Sequence, residues 1–539
     1  MTLFGIRATG SMWRLVARGA ACASLLAGCV AAPTTANDGA LPYSAAVAAR
    51  FAAPPVVYRT PGLEPGREGY TSNDELLAWR QELLRAPRRD GTRIEALPLG
   101  RSQQGVPLEA LRFTRATGRP VALLIGQQHG DEPAGAEALM VVAQELAQGA
   151  LASVLDSIDV VVLARANPDG AAWNTRVSAN GIDINRDHLL LRTPEAQAQA
   201  QLTRQWHPVL VVDLHEHTVV GRYLEKFGAV QRNDLLLQYT MTGNYPEALT
   251  AASESRFRAP LLQALTREGL THEWYYTSPT TPGDLRLSMG GVQPDTGRNV
   301  HGLKNAVSVL LESRGVGIGR LHLQRRVHSH VVALRSLLQS AAAHADELAA
   351  LQRSAAAQVA ASACLGDAVV LASATPLQRE LLMLDPDSGA DKPVQVQWDS
   401  ALQMRVLRAR TRPCGYWLGA PAQAAVDKLR QLGLEVRRFD ADTPLQVEAW
   451  HELSRTESAR PDVRGTVADA AQTAIAVRVD LMARVAVAPA GSWYVTLDQP
   501  LAHLAIAALE PDTPSSYFAN RVVPALDAVL RVRAPPARP

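Results

Sequence analysis

The chain has 539 residues, 47% of them hydrophobic and 20% charged, the make-up of a folded protein and not of a disordered or fibrous one. That length corresponds to about two to four domains. With 54 basic against 52 acidic residues the net charge is +2, so the chain lacks the electrostatic footprint of a nucleic-acid binder.

Residues 1–29 read as an export signal. Met12, Trp13 and Arg14 open a short basic stretch, and 20–27 is apolar. Such a run is too short to span a bilayer, which takes roughly twenty residues, but it suits secretion. It ends in Leu26, Ala27, Gly28 and Cys29, which resembles the lipobox of bacterial lipoproteins. The resemblance implies lipidation of Cys29 and a membrane anchor there; a plain signal cut near Ala31 and Ala32 is the alternative. Val30 in place of aspartate resembles outer-membrane sorting, so the expected location is the periplasm, anchored to the outer membrane. Met12 can itself serve as the start, because residues 1–11 add nothing a signal needs. Cys364 and Cys414 remain in the exported part. An even pair in an oxidising compartment reads as a disulfide, stabilising by about 4 kcal/mol in the chain-entropy model; two separate thiols are the alternative.

Residues 30–67, rich in Ala, Pro, Thr and Gly, are expected to form a flexible tether. Ser72, Asn73, Asp74 and Glu75 make a capping box for a helix over 76–84. From 68 to 319 short apolar runs (121–125, 160–163, 209–212 and 307–311) alternate with helical stretches such as 134–147. Continuous apolar runs suit strands buried on both faces. The predicted fold is therefore α/β, with a mixed, largely parallel sheet flanked by helices. Residues 320–364 are predicted as a helical connector. Residues 365–539 are predicted as a second, smaller αβ module, with strands at 368–372, 406–409 and 434–439 and a helix at 422–432. No internal repeat is present.

Metal-competent and polar residues follow the apolar runs. After 121–125 come His129 and Glu132; after 160–163, Asn167, Pro168, Asp169 and Gly170; after 209–212, Asp213, His215 and His217; after 307–311, Glu312. Open α/β sheets place ligand sites at the carboxyl ends of their strands. An HxxE pair is a weak signal alone, but a further histidine completes the two-histidine, one-carboxylate set usual for catalytic zinc. Asp213, His215 and His217 alternate onto one strand face, so spacing does not separate the two histidines; His215 is preferred.

These residues resemble the zinc carboxypeptidases, the carboxypeptidase A-like metallopeptidases. The matching pieces are His129 to Glu132, Asn167 to Gly170, Thr175 and Arg176, residues 181–187 with Asn185 and Arg186, Asp213 to His215, and residues 311–314, spread over about 68–340. The resemblance implies one zinc ion per chain on His129, Glu132 and His215. It makes Arg176 the group that polarises the scissile carbonyl and Glu312 the general base. Asn185 and Arg186 would clamp the free C-terminal carboxylate of a peptide substrate, a task for which a bidentate guanidinium suits.

Two departures stand out. The family's mobile tyrosine has no counterpart in 289–302; His301, Tyr275 and Tyr276 are the residues that could replace it. Asp295 and Arg298 lie where a specificity pocket would form, and an arginine there favours acidic side chains. His322, His328 and His330 form no second metal site, since i and i+2 do not share a helix face. Trp173 and Trp274 read as packing residues. The reading is an exported zinc carboxypeptidase acting on peptides, murein peptides included, with no sequence feature that sets its oligomeric state. The rivals are a zinc deacylase of N-acyl amino acids and a non-catalytic peptide-binding lipoprotein.

Overall fold

The computed structural model describes residues 41–87, 91–459, 461–462, 465–466 and 473–536. The signal, the alternative start at Met12 and the lipidation site at Cys29 lie outside the described residues.

The first nine strands are β1 (Arg93–Arg101), β2 (Pro107–Thr114), β3 (Val121–Gly126), β4 (Asp159–Leu163), β5 (Leu210–Thr218), β6 (Leu235–Tyr239), β7 (His272–Trp274), β8 (Arg286–Ser288) and β9 (Val307–Val316). All but β8 join one sheet in the order β1-β2-β4-β3-β5-β9-β6-β7. Its centre, β4-β3-β5-β9, is parallel, while β2 and β6 run antiparallel to it. Why the central runs are apolar throughout is visible in their packing. Ala122, Leu124, Val160, Val162 and Val212 face the helices Ala134–Gln148 and Leu323–Ala343. Leu123, Ile125, Val161 and Val211 face the opposite layer, with Ala198 and Leu202 of the helix Pro194–Trp206. A period of two thus sends apolar groups to both sides, and the fold is α/β with helices on both faces.

Several boundaries differ from the sequence expectation. The capping box at Ser72 is made, and its helix runs Asn73–Arg85. Strands β5 and β9 continue past their apolar runs, because each keeps a hydrogen-bonded neighbour as far as His217 and Arg314. His215, His217 and Glu312 therefore lie within strands, not after them. The connector is two helices, Leu323–Ala343 and Ala345–Ala361. Strands β1, β2, β6, β7 and β8 went unpredicted.

Part of the expected tether is ordered. Helix Ala45–Ala49 is capped by Ser44, and Tyr43, Val47 and Phe51 pack with Val219, Val230, Ile318 and Leu384. The guanidinium of Arg314 lies over the Phe51 ring at 3.2 Å. Apolar anchors spaced four apart, as one helical turn allows, dock this segment.

The expected boundary near 365 falls inside one compact unit that takes in the chain from residue 41 onward. Strands β10 (Asp367–Leu384) and β11 (Asp391–Thr411) form one long hairpin, in which the short strands expected at 368–372 and 406–409 are merely segments. Strand β11 pairs in parallel with β8, which precedes the expected boundary. Beyond it come β12 (Gly415–Leu418), β13 (Arg437–Arg438), β14 (Thr443–Ala459), β15 (Pro461–Asp462), β16 (Gly465–Thr466), β17 (Thr473–Ala488), β18 (Trp493–Thr496) and β19 (Val529–Val532). Six of them make a second sheet, β13-β18-β12-β19-β14-β17. One apolar cluster joins Leu189, Ala196, Val300 and Leu303 to Val426, Leu429, Ile506 and Tyr517, so the core crosses the expected boundary. The sulfurs of Cys364 and Cys414 are bonded at 1.97 Å, tying the last helix before the hairpin to the start of β12.

Candidate active site

Two chain segments bring His129, Glu132 and His215 together. The turn after β3 is tight: Glu132 N donates to His129 O at 3.2 Å, and His129 Nδ1 lies 2.9 Å from Glu132 Oε1. His215, on β5 beside β3, places its Nδ1 at 3.0 Å from His129 Nδ1 and 2.9 Å from Glu132 Oε2. All three are buried.

The outer nitrogens explain this convergence. His129 Nε2 meets Asp183 Oδ1 at 3.0 Å, and His215 Nε2 meets Asp213 Oδ2 at 3.0 Å. A carboxylate on each Nε2 selects the tautomer protonated there, which leaves both Nδ1 lone pairs facing one another and the Glu132 carboxylate. Three lone-pair donors converging without a hydrogen between them suit a cation, and N,N,O ligation suits zinc. Among the described residues this is the one group of His, Cys, Asp and Glu placed to hold a metal. The zinc that the donor set calls for thus fits His129, Glu132 and His215.

Electrostatics agree. Burial pushes the Glu132 carboxyl up, but His129 and His215 outweigh it and hold it well below the usual range. Asp183 is likewise buried, yet is held well down by Arg176 and His129. Burial opposes charge on His215, but Asp213 and Glu132 draw its imidazole up to about 10. The centre is electron-rich and built to be shared with a cation.

A cavity of about 370 Å³ opens beside the metal group. His129, Arg176, Asn185, Arg186, Arg298 and Glu312 all line it, so the expected set meets in one place. Glu312 is directly opposite His215 in the β5–β9 register. Arg176 is held by Asp183 through Nε at 3.1 Å and Nη2 at 2.8 Å, and turns Nη1 to Glu132 Oε1 at 3.3 Å. Arg186 donates from Nη1 to Asn185 O at 2.9 Å. Asn185 places its Nδ2 3.2 Å from His215 Nε2, a contact and not a hydrogen bond for the tautomer protonated there, and its Oδ1 accepts from Gly297 N at 2.8 Å. Its side chain braces the site as well as facing the cavity.

His217 turns its Nδ1 to Glu312 O at 3.1 Å and stays outside the metal group. Of the aromatic candidates, Tyr275 lines the cavity, whereas Tyr276 is buried against Tyr223 and Trp398 and His301 lines another cavity. His322, His328 and His330 do not converge: His322 packs on Tyr43 and Phe51, and His328 bonds Tyr58. Trp274 packs under Arg258, but Trp173 is 53% exposed, contrary to expectation.

Sequence reasoning did not single out Asp183, although it sits two residues before Asn185 between two isoleucines, where a carboxylate has little reason to be unless paired. It also missed the hairpin's share of the cavity. Asp399 of β11 lines it, together with Arg286 and Ser288 of β8.

A two-histidine, one-carboxylate centre opening on a pocket at the edge of a parallel sheet defines a metal-dependent hydrolase. Comparisons with known proteins narrow the class. Residues 81–206 match the family model described as zinc carboxypeptidase. Carboxypeptidase 2 of Trichophyton equinum is 28% identical over 406 residues, 74% of this chain and 73% of that one. Carboxypeptidase 2 of Trichophyton rubrum is 26% identical over 490 residues, 88% of each. A metallo-carboxypeptidase structure from Pseudomonas aeruginosa aligns with a TM-score of 0.38 at 21% identity, over 51% of this chain and 69% of that one. The family match over residues 81–206, the relatives and the metal group together support a zinc metallocarboxypeptidase, a hydrolase of peptide bonds.

Proposed function

We propose that the protein removes single residues from the free C-termini of peptides, with Glu312 as general base. The observation that carries this reading is the shared cavity: His129 of the metal group, the Glu312 carboxylate and the guanidinium groups of Arg176 and Arg186 all line one space. Zinc supplies Lewis acidity there and makes a water molecule easy to deprotonate near neutral pH. Glu312 takes a proton from the attacking water and delivers it to the leaving amine. Arg176, oriented by Asp183, meets the negative charge that develops on the carbonyl oxygen. Arg186 holds the terminal carboxylate by parallel hydrogen bonds, with Asn185 beside it.

The same cavity favours an acidic C-terminal side chain. Arg298 is 3% exposed and donates to Gly291 O at 2.9 Å and Asn299 Oδ1 at 3.4 Å, and it has no ion-pair partner among the described residues. Burial pushes its guanidinium down to about 10. A buried cation gains most from a ligand that brings the opposite charge. Gly290 leaves room for it, since a Cβ there would lie 2.7 Å from Arg298 Nη1.

The signal and lipobox support export to the periplasm and anchoring through Cys29, which puts murein stem peptides within reach. The test uses zinc-loaded chain lacking residues 1–29 on a mixed peptide library, murein tripeptides and tetrapeptides, and N-acyl amino acids, with products read by mass spectrometry. Loss of single C-terminal residues, glutamate and aspartate fastest, is expected. Intact peptides with cleaved N-acyl amino acids would transfer the site to a deacylase, and no product from any of them would leave only peptide binding.

A further inference from the structure

A second, much smaller cavity of about 30 Å³ lies between the catalytic part and the C-terminal layer. Its wall carries four basic side chains, Arg204, His207, His301 and Lys304, and the hydroxyl of Thr203; the rest is apolar or backbone, and no carboxylate lines it. Lys304 Nζ donates to Thr203 Oγ1 at 2.7 Å, which uses one of its three N–H groups. His301 is 2% exposed, and neither ring nitrogen has a hydrogen-bond partner. His301 is buried and Lys304 half-buried, whereas Arg204 and His207 reach solvent; neither His301 nor Lys304 has an ion-pair partner among the described residues.

Polar groups buried this way are ordinarily satisfied, and a buried cation is ordinarily paired. A space of this size admits one water-sized particle. Water would satisfy the donors but leave the charge uncompensated, whereas a monatomic anion does both. We propose that the cavity is a binding site for a small monovalent anion of chloride size, held by Lys304 and His301 with Arg204 beside it. Tetrahedral oxyanions and carboxylates are too large for it. Burial and the neighbouring Arg204 push Lys304 down to about 7, the direction expected of an ammonium that lacks its counter-ion.

The site bears on catalysis through one short helix. Gly297–Gly302 carries Arg298, which lines the substrate cavity, and His301, which lines this one. Lys304 follows two residues later, and Arg204 comes from the last turn of Pro194–Trp206. An anion between them fixes that helix against its neighbour.

Bromide is the probe, because it scatters anomalously and is close to chloride in size. Crystals of the zinc-loaded protein grown in sodium bromide should show an anomalous peak beside Lys304 Nζ and His301. In solution, thermal midpoints should rise and saturate with sodium bromide or chloride but not with sodium gluconate at equal ionic strength. Lys304→Met should lose the halide-specific rise, and Thr203→Val should weaken it while keeping the cation. No anomalous peak at the site, or identical halide and gluconate curves for the wild-type protein, would overturn the proposal even if Lys304→Met fails to fold. Neither readout depends on peptidase activity.

Discussion

Gly130 and Gly170 meet backbone to backbone: a Cβ on Gly130 would lie 1.9 Å from the carbonyl carbon of Gly170. The turn carrying His129 and Glu132 is thereby seated on the segment begun by Asn167, whose side chain accepts from Gly170 N at 2.9 Å and donates to Gln128 O at 3.1 Å. Gly130→Ala must push two backbones apart, at a cost of about 1–3 kcal/mol, and spread the metal ligands with them. We expect a lower melting temperature and weaker zinc binding. Gly69→Ala, with nothing within 4 Å of its Cβ, should change neither.

Asp183 and Asp213 orient the two ligand histidines through their Nε2 atoms. Replacing either by asparagine should weaken zinc binding about 10–100-fold, read by competition with a chromophoric chelator. Asp183→Asn should also lower turnover of zinc-saturated protein, because Arg176 loses its ion pair with Asp183.

Glu312→Gln keeps the shape of the side chain and removes its basicity. Zinc content should be unchanged while kcat falls about 10²–10⁴-fold. Metal analysis beside steady-state kinetics checks this, and unchanged turnover would take Glu312 out of the mechanism.

Arg298→Leu should reverse the preference for the C-terminal residue. kcat/KM for peptides ending in glutamate should fall about tenfold or more, as removal of a charge-assisted contact of about 1.5–3 kcal/mol implies, while peptides ending in leucine should gain. Equal losses on both would mark Arg298 as structural only.

Asp187 supplies the pH dependence that is simplest to isolate. Burial pushes its carboxyl up to about 6, against hydrogen bonds from Arg192 N, Thr193 N and the Thr193 hydroxyl. The folded state then holds this proton more tightly than the unfolded chain, whose carboxyl has its ordinary value near 3.8. Its contribution is full below that value and is lost as pH rises through about 6. Denaturant titrations of Asp187→Asn should therefore show a flatter fall in stability between about pH 4 and 6 than the wild-type protein.

The candidate ligands, the arginines and Glu312 could be picked out in the sequence because each lies in a local motif that follows an apolar run. His129 and Glu132 share one turn, and the central strands announce themselves by apolar runs that only a sheet covered on both faces requires. The Ser72 capping box was readable for the same reason, since it is settled within four residues.

What the chain pattern left open was decided by contacts distant in sequence. His215 and His217 alternate onto one face, and only the register of β5 against β3 and β9 brings His215 to Glu132 and leaves His217 on the Glu312 carbonyl. Asp399 reaches the substrate cavity because β11, more than a hundred residues further along the chain, pairs with β8. The segment around Tyr43 and Phe51 looks like a tether by composition and is ordered by Arg314 and Val230. By itself the sequence determined which groups are candidates for the chemistry, because zinc ligation and proton transfer demand particular side chains. Tertiary structure decided which of the equivalent candidates meet and what encloses them, because strand register and long-range pairing depend on partners that no local window contains.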